Sequence, residues 1–127
     1  MLGIHKCRLR YSLAAGVLIL AGFLMTSCLS HLFNQPPKPA IAIAEGNPYG
    51  PAPLEITFDI SGSFDPDGEI VSFTFDLGDE SEPVEGSNLS EPIIHTYENS
   101  GTYFARVTVT DDDGRSAVSP GLLISPK

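Results

Sequence analysis

From Ala40 onward, apolar and polar residues alternate with a period of two. Ile41 and Ile43 alternate with small residues, and Ile56, Phe58 and Ile60 alternate with Glu55, Thr57 and Asp59. Val71, Phe73, Phe75 and Leu77 alternate with Ser72, Thr74 and Asp76, and Tyr103, Ala105, Val107 and Val109 with Phe104, Arg106, Thr108 and Thr110. Successive side chains of a strand point to opposite faces, so each run predicts a strand with one buried face. Weaker strands are expected around Val84, from Ile93 to Thr96, and from Ala117 to Ile124. The segments NPYGPAP, SFDPDG, GDESEP, EGSN, ENSG and DDDG separate the runs with residues suited to turns. No helical spacing and no internal repeat is found after residue 27. The pattern predicts an all-β fold, a seven-stranded antiparallel β-sandwich of immunoglobulin type.

The first 27 residues have a different character. The basic segment HKCRLR leads into an apolar run from Leu13 to Met25, followed by Thr26, Ser27 and Cys28. A run of about 13 residues is shorter than the roughly 20 that span a bilayer as a helix, and a cleaved signal peptide over residues 1–27 is expected. An uncleaved anchor and an ordinary secretory signal are the alternatives. The sequence LMTSC resembles the lipobox of bacterial lipoproteins, with Met25 where Leu is commonest. That resemblance implies lipidation of Cys28 by a diacylglyceryl thioether, with an acyl group such as palmitate on its amino group. Several acyl chains anchor stably, at about 0.8 kcal/mol per buried methylene. Leu29 in place of Asp points to the outer membrane in a host that has one. Cys7 would leave with the leader, so no disulfide is expected, and about 90 residues suffice for a core without one. Residues 28–39, with Pro36, Pro37 and Pro39, read as a semi-rigid tether reaching on the order of 30 Å, and residues 40–127 as the domain.

Charge narrows the partners. All 16 acidic residues lie from Glu45 onward, and removal of the leader leaves four basic residues, a net of −12. Such a surface repels phosphate backbones and anionic head groups, which argues against nucleic acid; membrane contact would run through the lipid.

From Ser61 the chain reads SGSFDPDGEIVSFTFDLGDE, and later HTYENSGTYFARVTVTDDDG. These segments resemble the PKD domain, a small immunoglobulin-like module of cell-surface proteins. Ser61, Ser63, Asp65, Pro66, Asp67, Gly68, Ile70, Asp76, Gly78 and Asp79 match the first half of its pattern. His95, Tyr97, Gly101, Tyr103, Val107, Val109, Asp111 and Gly114 match the second. The departures are Phe75 for Trp, Leu77 for Phe and Glu80 for Gly. Since Gly takes positive φ without strain and Glu does not, a reshaped turn after Asp79 is expected.

The resemblance also implies sites. Some PKD domains bind calcium at one end of the sandwich; carried over, the ligands would be Asp65, Asp67 and one of Asp111 or Asp112, with Asn47 or Glu45 contributing. Hard oxygens suit calcium, which takes six to eight of them. Asp also caps turns through its own hydrogen bonds with no metal present, and both readings stay open. Asp76 and Asp79, flanking Gly78, are expected to hold backbone amides. His95 has neither a companion ligand nor a nucleophile motif and reads as a hydrogen-bonded structural residue beside Tyr97. Tyr103 resembles a tyrosine corner. Phe33, Tyr49 and Phe104 are the aromatic residues free of the core alternation, too scattered for a sugar platform, and the four glutamates between Glu80 and Glu91 read as a solvated edge. Together these features imply a non-catalytic, lipid-anchored envelope module engaging an extracellular protein or polysaccharide, or serving as an adhesive spacer. The alternative is an accessory substrate-binding module for a secreted protease or polysaccharide-degrading enzyme.

Overall fold

The computed structural model describes residues 33–127; the leader, Cys28 and the start of the tether lie outside them. Contacts divide the chain into Met1–Gln35 and Pro36–Lys127, and the second unit is the sandwich. Its strands are β1 (Ala42–Glu45), β2 (Leu54–Asp59), β3 (Ile70–Asp76), β4 (Val84–Gly86), β5 (Ile93–Tyr97), β6 (Tyr103–Asp111), β7 (Ser116–Val118) and β8 (Leu122–Ile124). A three-stranded sheet has the order β1-β2-β5; a five-stranded one runs β4-β3-β6-β7, with β8 also on β6. All pairings between these strands are antiparallel.

The alternation becomes the core. Leu54, Ile56, Phe58, Ile60, Ile93 and Tyr97 from the smaller sheet meet Phe73, Phe75, Leu77, Ala105, Val107, Val109 and Ile124 from the larger. Phe58 and Phe75 pack across the sheets with ring centroids 4.9 Å apart. Fully burying a side chain of this size contributes roughly 1.5–3 kcal/mol, so the two facing rows supply most of what holds the sheets together.

Two details depart from the simple pattern. Val71, expected on the buried face with Phe73, is 47% exposed. The register of β3 on β6 shifts between Ile70 and Ser72, so that Ile70 pairs with Asp111 and Ser72 with Thr110. The bulge inserts Val71 as an extra residue, reverses the parity before it, and lets Ile70 pack on the core instead. The single strand expected from Ala117 to Ile124 is two strands, interrupted at Pro120 and Gly121, where proline supplies no N–H to a ladder. Ser119 bridges the gap: it is buried, its N–H donates to Val107 O at 2.8 Å, and its Oγ accepts from Val107 N–H at 3.0 Å.

The sandwich has two poles. The Asp-rich pole holds the β2–β3 and β6–β7 loops together with the incoming chain, where Lys38, within the expected tether, pairs with Phe64 through bonds of 2.7 and 3.0 Å. The opposite pole holds the β1–β2, β3–β4 and β5–β6 loops and the end of the chain, where Lys127 exchanges hydrogen bonds with Gly50 and Ala52.

Candidate functional site

At the Asp-rich pole the β2–β3 loop and the β6–β7 loop are tied directly. Asp112 N–H donates to Glu69 O at 2.9 Å, and Glu69 N–H donates to Asp112 Oδ1 at 3.3 Å. Asp65 Oδ1 accepts from Asp67 N–H, a local turn of the kind Asp favours. Its other oxygen, Oδ2, is buried without a hydrogen-bond partner. Gly68 lies beneath both loops: a Cβ there would stand 2.5 Å from Asp112 Oδ1 and 2.8 Å from Asp65 Oδ2. A side chain there would push these carboxylate oxygens aside.

Electrostatics follow the geometry. Burial raises the Asp65 carboxyl above its ordinary value, and the neighbouring Asp67 and Asp111 charges add to the rise. Asp111 is itself buried, and its Oδ1 accepts from Asp113 N–H at 2.9 Å and Arg115 N–H at 2.7 Å, closing the β6–β7 turn. One oxygen of Asp111 is thus committed to the backbone, while Asp112 Oδ1 and Asp65 Oδ2 both border Gly68. Among the described residues, no three His, Cys, Asp or Glu side chains are gathered as a ready-made metal site. The orphaned Asp65 oxygen is the feature that fits a hard cation, which would draw its remaining oxygens from neighbouring side chains, backbone and water.

Asn47 and Glu45 do not join this group. Strand β1 starts beside Asp59, at the Asp-rich pole, and runs away from it, with Glu45 opposite Thr57. Pro48, next to Asn47, accepts from Ser125 N–H, and Ile124 pairs with Tyr103 at the start of β6. Asp111 ends that strand, and eight residues at about 3.3 Å each put it roughly 26 Å away. The Asn47 side chain instead accepts from Tyr49 N–H in its own turn.

The opposite pole carries a second polar group. His95 Nε2 donates to Asp79 Oδ2 at 2.6 Å, joining β5 of one sheet to the loop after β3 of the other. Asp79 Oδ1 accepts from both Ser81 N–H and Ser81 Oγ, while Asp76 Oδ1 accepts from Gly78 N–H. Burial alone would raise the Asp79 carboxyl, but the hydrogen bonds from Ser81 and His95 hold it below the ordinary range. Serine bonds to the aspartate and not to the histidine, so the order of contacts differs from that of a nucleophile activated by its base. His95 packs edge-on against Tyr97 at 4.8 Å, and Tyr97 stacks on Tyr103 at 5.0 Å. Tyr97 is buried, its hydroxyl donates to Leu77 O at 2.9 Å, and burial pushes its phenol far above the usual range. Tyr103 OH donates to Asn99 O, four residues upstream, which is the contact of a tyrosine corner. Glu80 holds the left-handed conformation at φ 66°, so the turn keeps the geometry of its glycine and places a glutamate in it.

Phe33, Tyr49 and Phe104 are exposed, as their positions outside the alternation predict. Phe64, Ile94 and Val118 are exposed too and carried no such signal. Phe64 lies 5.7 Å beneath the Lys38 ammonium, which covers one face of its ring.

Fold and core together define an immunoglobulin-like β-sandwich. Residues 34–120 match the PKD domain family, and the chain belongs to it. Among curated proteins, a microbial collagenase of Vibrio alginolyticus is 36% identical over 78 residues, covering 61% of this chain and 9% of the collagenase. The chain therefore spans under a tenth of that relative. Among solved structures, carbohydrate-binding modules of the β-sandwich superfamily superpose with TM-score 0.60 and 31% identity, covering 74% of this chain and 35% of that one. The PKD1 domain of the Vibrio cholerae metalloprotease PrtV superposes with TM-score 0.58 and 26% identity, covering 73% of this chain and 99% of that domain.

Proposed function

We propose that this chain is a non-catalytic module of the cell envelope, anchored by lipid on Cys28 and engaging extracytoplasmic protein or polysaccharide. The observation that carries the reading is the PKD match over residues 34–120, whose structural neighbours include a metalloprotease PKD domain and carbohydrate-binding modules. The leader and the LMTSC sequence support export and lipidation, with residues 28–39 as the tether and the outer membrane as the site in a two-membrane host. Calcium at Asp65 and Asp112, with Asp67 and Asp111 adjoining, would stiffen the Asp-rich pole; the orphaned Asp65 oxygen supports this assignment.

A second reading is favoured by the names of the relatives, a collagenase and a metalloprotease. On it, the chain is an accessory module that holds a protease or polysaccharide-degrading enzyme to its polymer.

The test is capture by the full-length chain, extracted in non-ionic detergent, from envelope proteins and envelope polysaccharides and from insoluble extracellular polymers, with calcium and with chelator. Saturable capture of an envelope protein or envelope polysaccharide supports the first reading, and capture on the insoluble extracellular polymer alone supports the second. No capture in any condition overturns both. Fatty-acid labelling lost in Cys28→Ala supports the anchor, and label retained in that variant removes it.

A further inference from the structure

Along one side of the sandwich, the two sheets end in edge strands that do not pair with one another, β4 of the larger and β5 of the smaller. Between them lies a cleft of about 450 Å³, with an apolar base of Phe73, Val84 and Ile93 and a polar rim that includes Ser87, Asn88, Glu85 and Glu91. Gly86 lets β4 lie down on the Phe73 ring: a Cβ there would stand 2.9 Å from the ring's Cζ. Ile94, 61% exposed, extends the apolar surface outward along β5. Among the described residues, no cation lines the cleft.

From this geometry we infer that the β4–β5 cleft docks an extended polypeptide segment in which apolar residues alternate with lysine or arginine. Three features carry the inference. Edge strands present backbone donors and acceptors to an added strand, the means by which extended peptides join a sheet. An extended segment turns alternate side chains to opposite sides, so one set meets the apolar base while the other reaches the glutamates. The domain's acidity, continued by Glu80 and Glu82 in the loop before β4, draws a cationic segment in and repels an acidic one. A sugar fits less well, because stacking needs an open ring face and, among the described residues, the one aromatic in the cleft, Phe73, is 6% exposed. The inference rests on the reading of the chain as a binding module and names the partner class of one surface.

The experiment is fluorescence polarisation with the full-length chain in non-ionic detergent and three labelled octapeptides: alternating Val-Lys, alternating Val-Glu and alternating Gly-Lys. Saturable binding of Val-Lys is expected, at least tenfold tighter than Gly-Lys and with none of Val-Glu. Glu85→Lys combined with Glu91→Lys is expected to weaken it at least tenfold, while Glu98→Lys, an exposed site outside the cleft, changes it less than twofold. All variants are first matched for thermal unfolding, so that loss of binding is not loss of fold. Equal weakening by Glu98→Lys, equal binding of Gly-Lys, or displacement of Val-Lys by a soluble oligosaccharide would overturn the proposal. Capture of an envelope protein or polymer without any Val-Lys binding would sink the cleft assignment while leaving the module reading in place.

Discussion

Gly78 and Gly114 both adopt left-handed backbone, at φ 79° and 88°, yet their surroundings differ completely. A Cβ on Gly78 would stand 2.6 Å from Phe104 O, 2.8 Å from its N and 2.9 Å from its carbonyl carbon, whereas nothing lies within 4 Å of a Cβ on Gly114. Alanine in left-handed backbone costs about 1–2 kcal/mol, offset by about 0.4–1 kcal/mol because alanine stiffens the unfolded chain. Gly114→Ala should therefore destabilise by roughly 0.5–1 kcal/mol. Gly78→Ala bears the same cost plus that of pushing β3's end off the β6 backbone, and overpacking of this kind costs typically 1–3 kcal/mol. The expected total is about 1.5–4 kcal/mol. At roughly 4–8 °C per kcal/mol for a domain of this size, Tm falls by about 6–32 °C in Gly78→Ala and by about 2–8 °C in Gly114→Ala. Urea unfolding at matched m-values supplies the free energies directly. Equal losses in the two variants would refute the steric reading and leave Gly78 needed only for its φ.

Asp79 has a depressed carboxyl, so its contribution to stability is present above the unfolded value of 3.8 and is lost as pH falls through the lower folded value. Asp79→Asn should cost roughly 1–2 kcal/mol at pH 7 and flatten the acid limb of stability below about pH 4; an unchanged acid limb would discard the assignment. Asp65 runs the other way: with its folded value raised, favourable protonation is present below 3.8 and lost as pH rises, so its charge at neutral pH opposes folding. Asp65→Asn should raise Tm in chelator and abolish any rise given by about 5 mM calcium, above the weak range of extracellular sites; a calcium-induced rise surviving in the variant would contradict the placement. Tyr97→Phe leaves the Leu77 carbonyl buried without its donor and should cost about 1–2 kcal/mol in urea unfolding, and no loss would show that water replaces the hydroxyl.

The sandwich was legible because its core rows follow period two without interruption in β2 and β6, and the PKD residues fall on the turns that join them. Val71 was not, since a bulge changes strand parity while leaving composition untouched. Asn47 was misplaced for a topological reason: β1 begins at the Asp-rich pole and carries its later residues to the other, a direction set by pairing with β2. The placement of Asp65 and Asp112 depends on Gly68 as much as on the acids, and a motif read for its carboxylates passes over the residue whose missing side chain leaves them room. Glu80 shows the reverse, a position where tertiary context holds the backbone of a glycine although the side chain resists it. The β4–β5 cleft had no counterpart in the pattern, because it arises where two sheets end and not within any one segment.

The chain joins the sandwich at Lys38, paired with Phe64 at one pole, and leaves it at Lys127, bonded to Gly50 and Ala52 at the other. A pull between these two points runs along the strands, while the ladder bonds of antiparallel strands stand across them. Tension between them therefore shears the β1–β2 and β6–β8 ladders as whole sets instead of opening them one bond at a time.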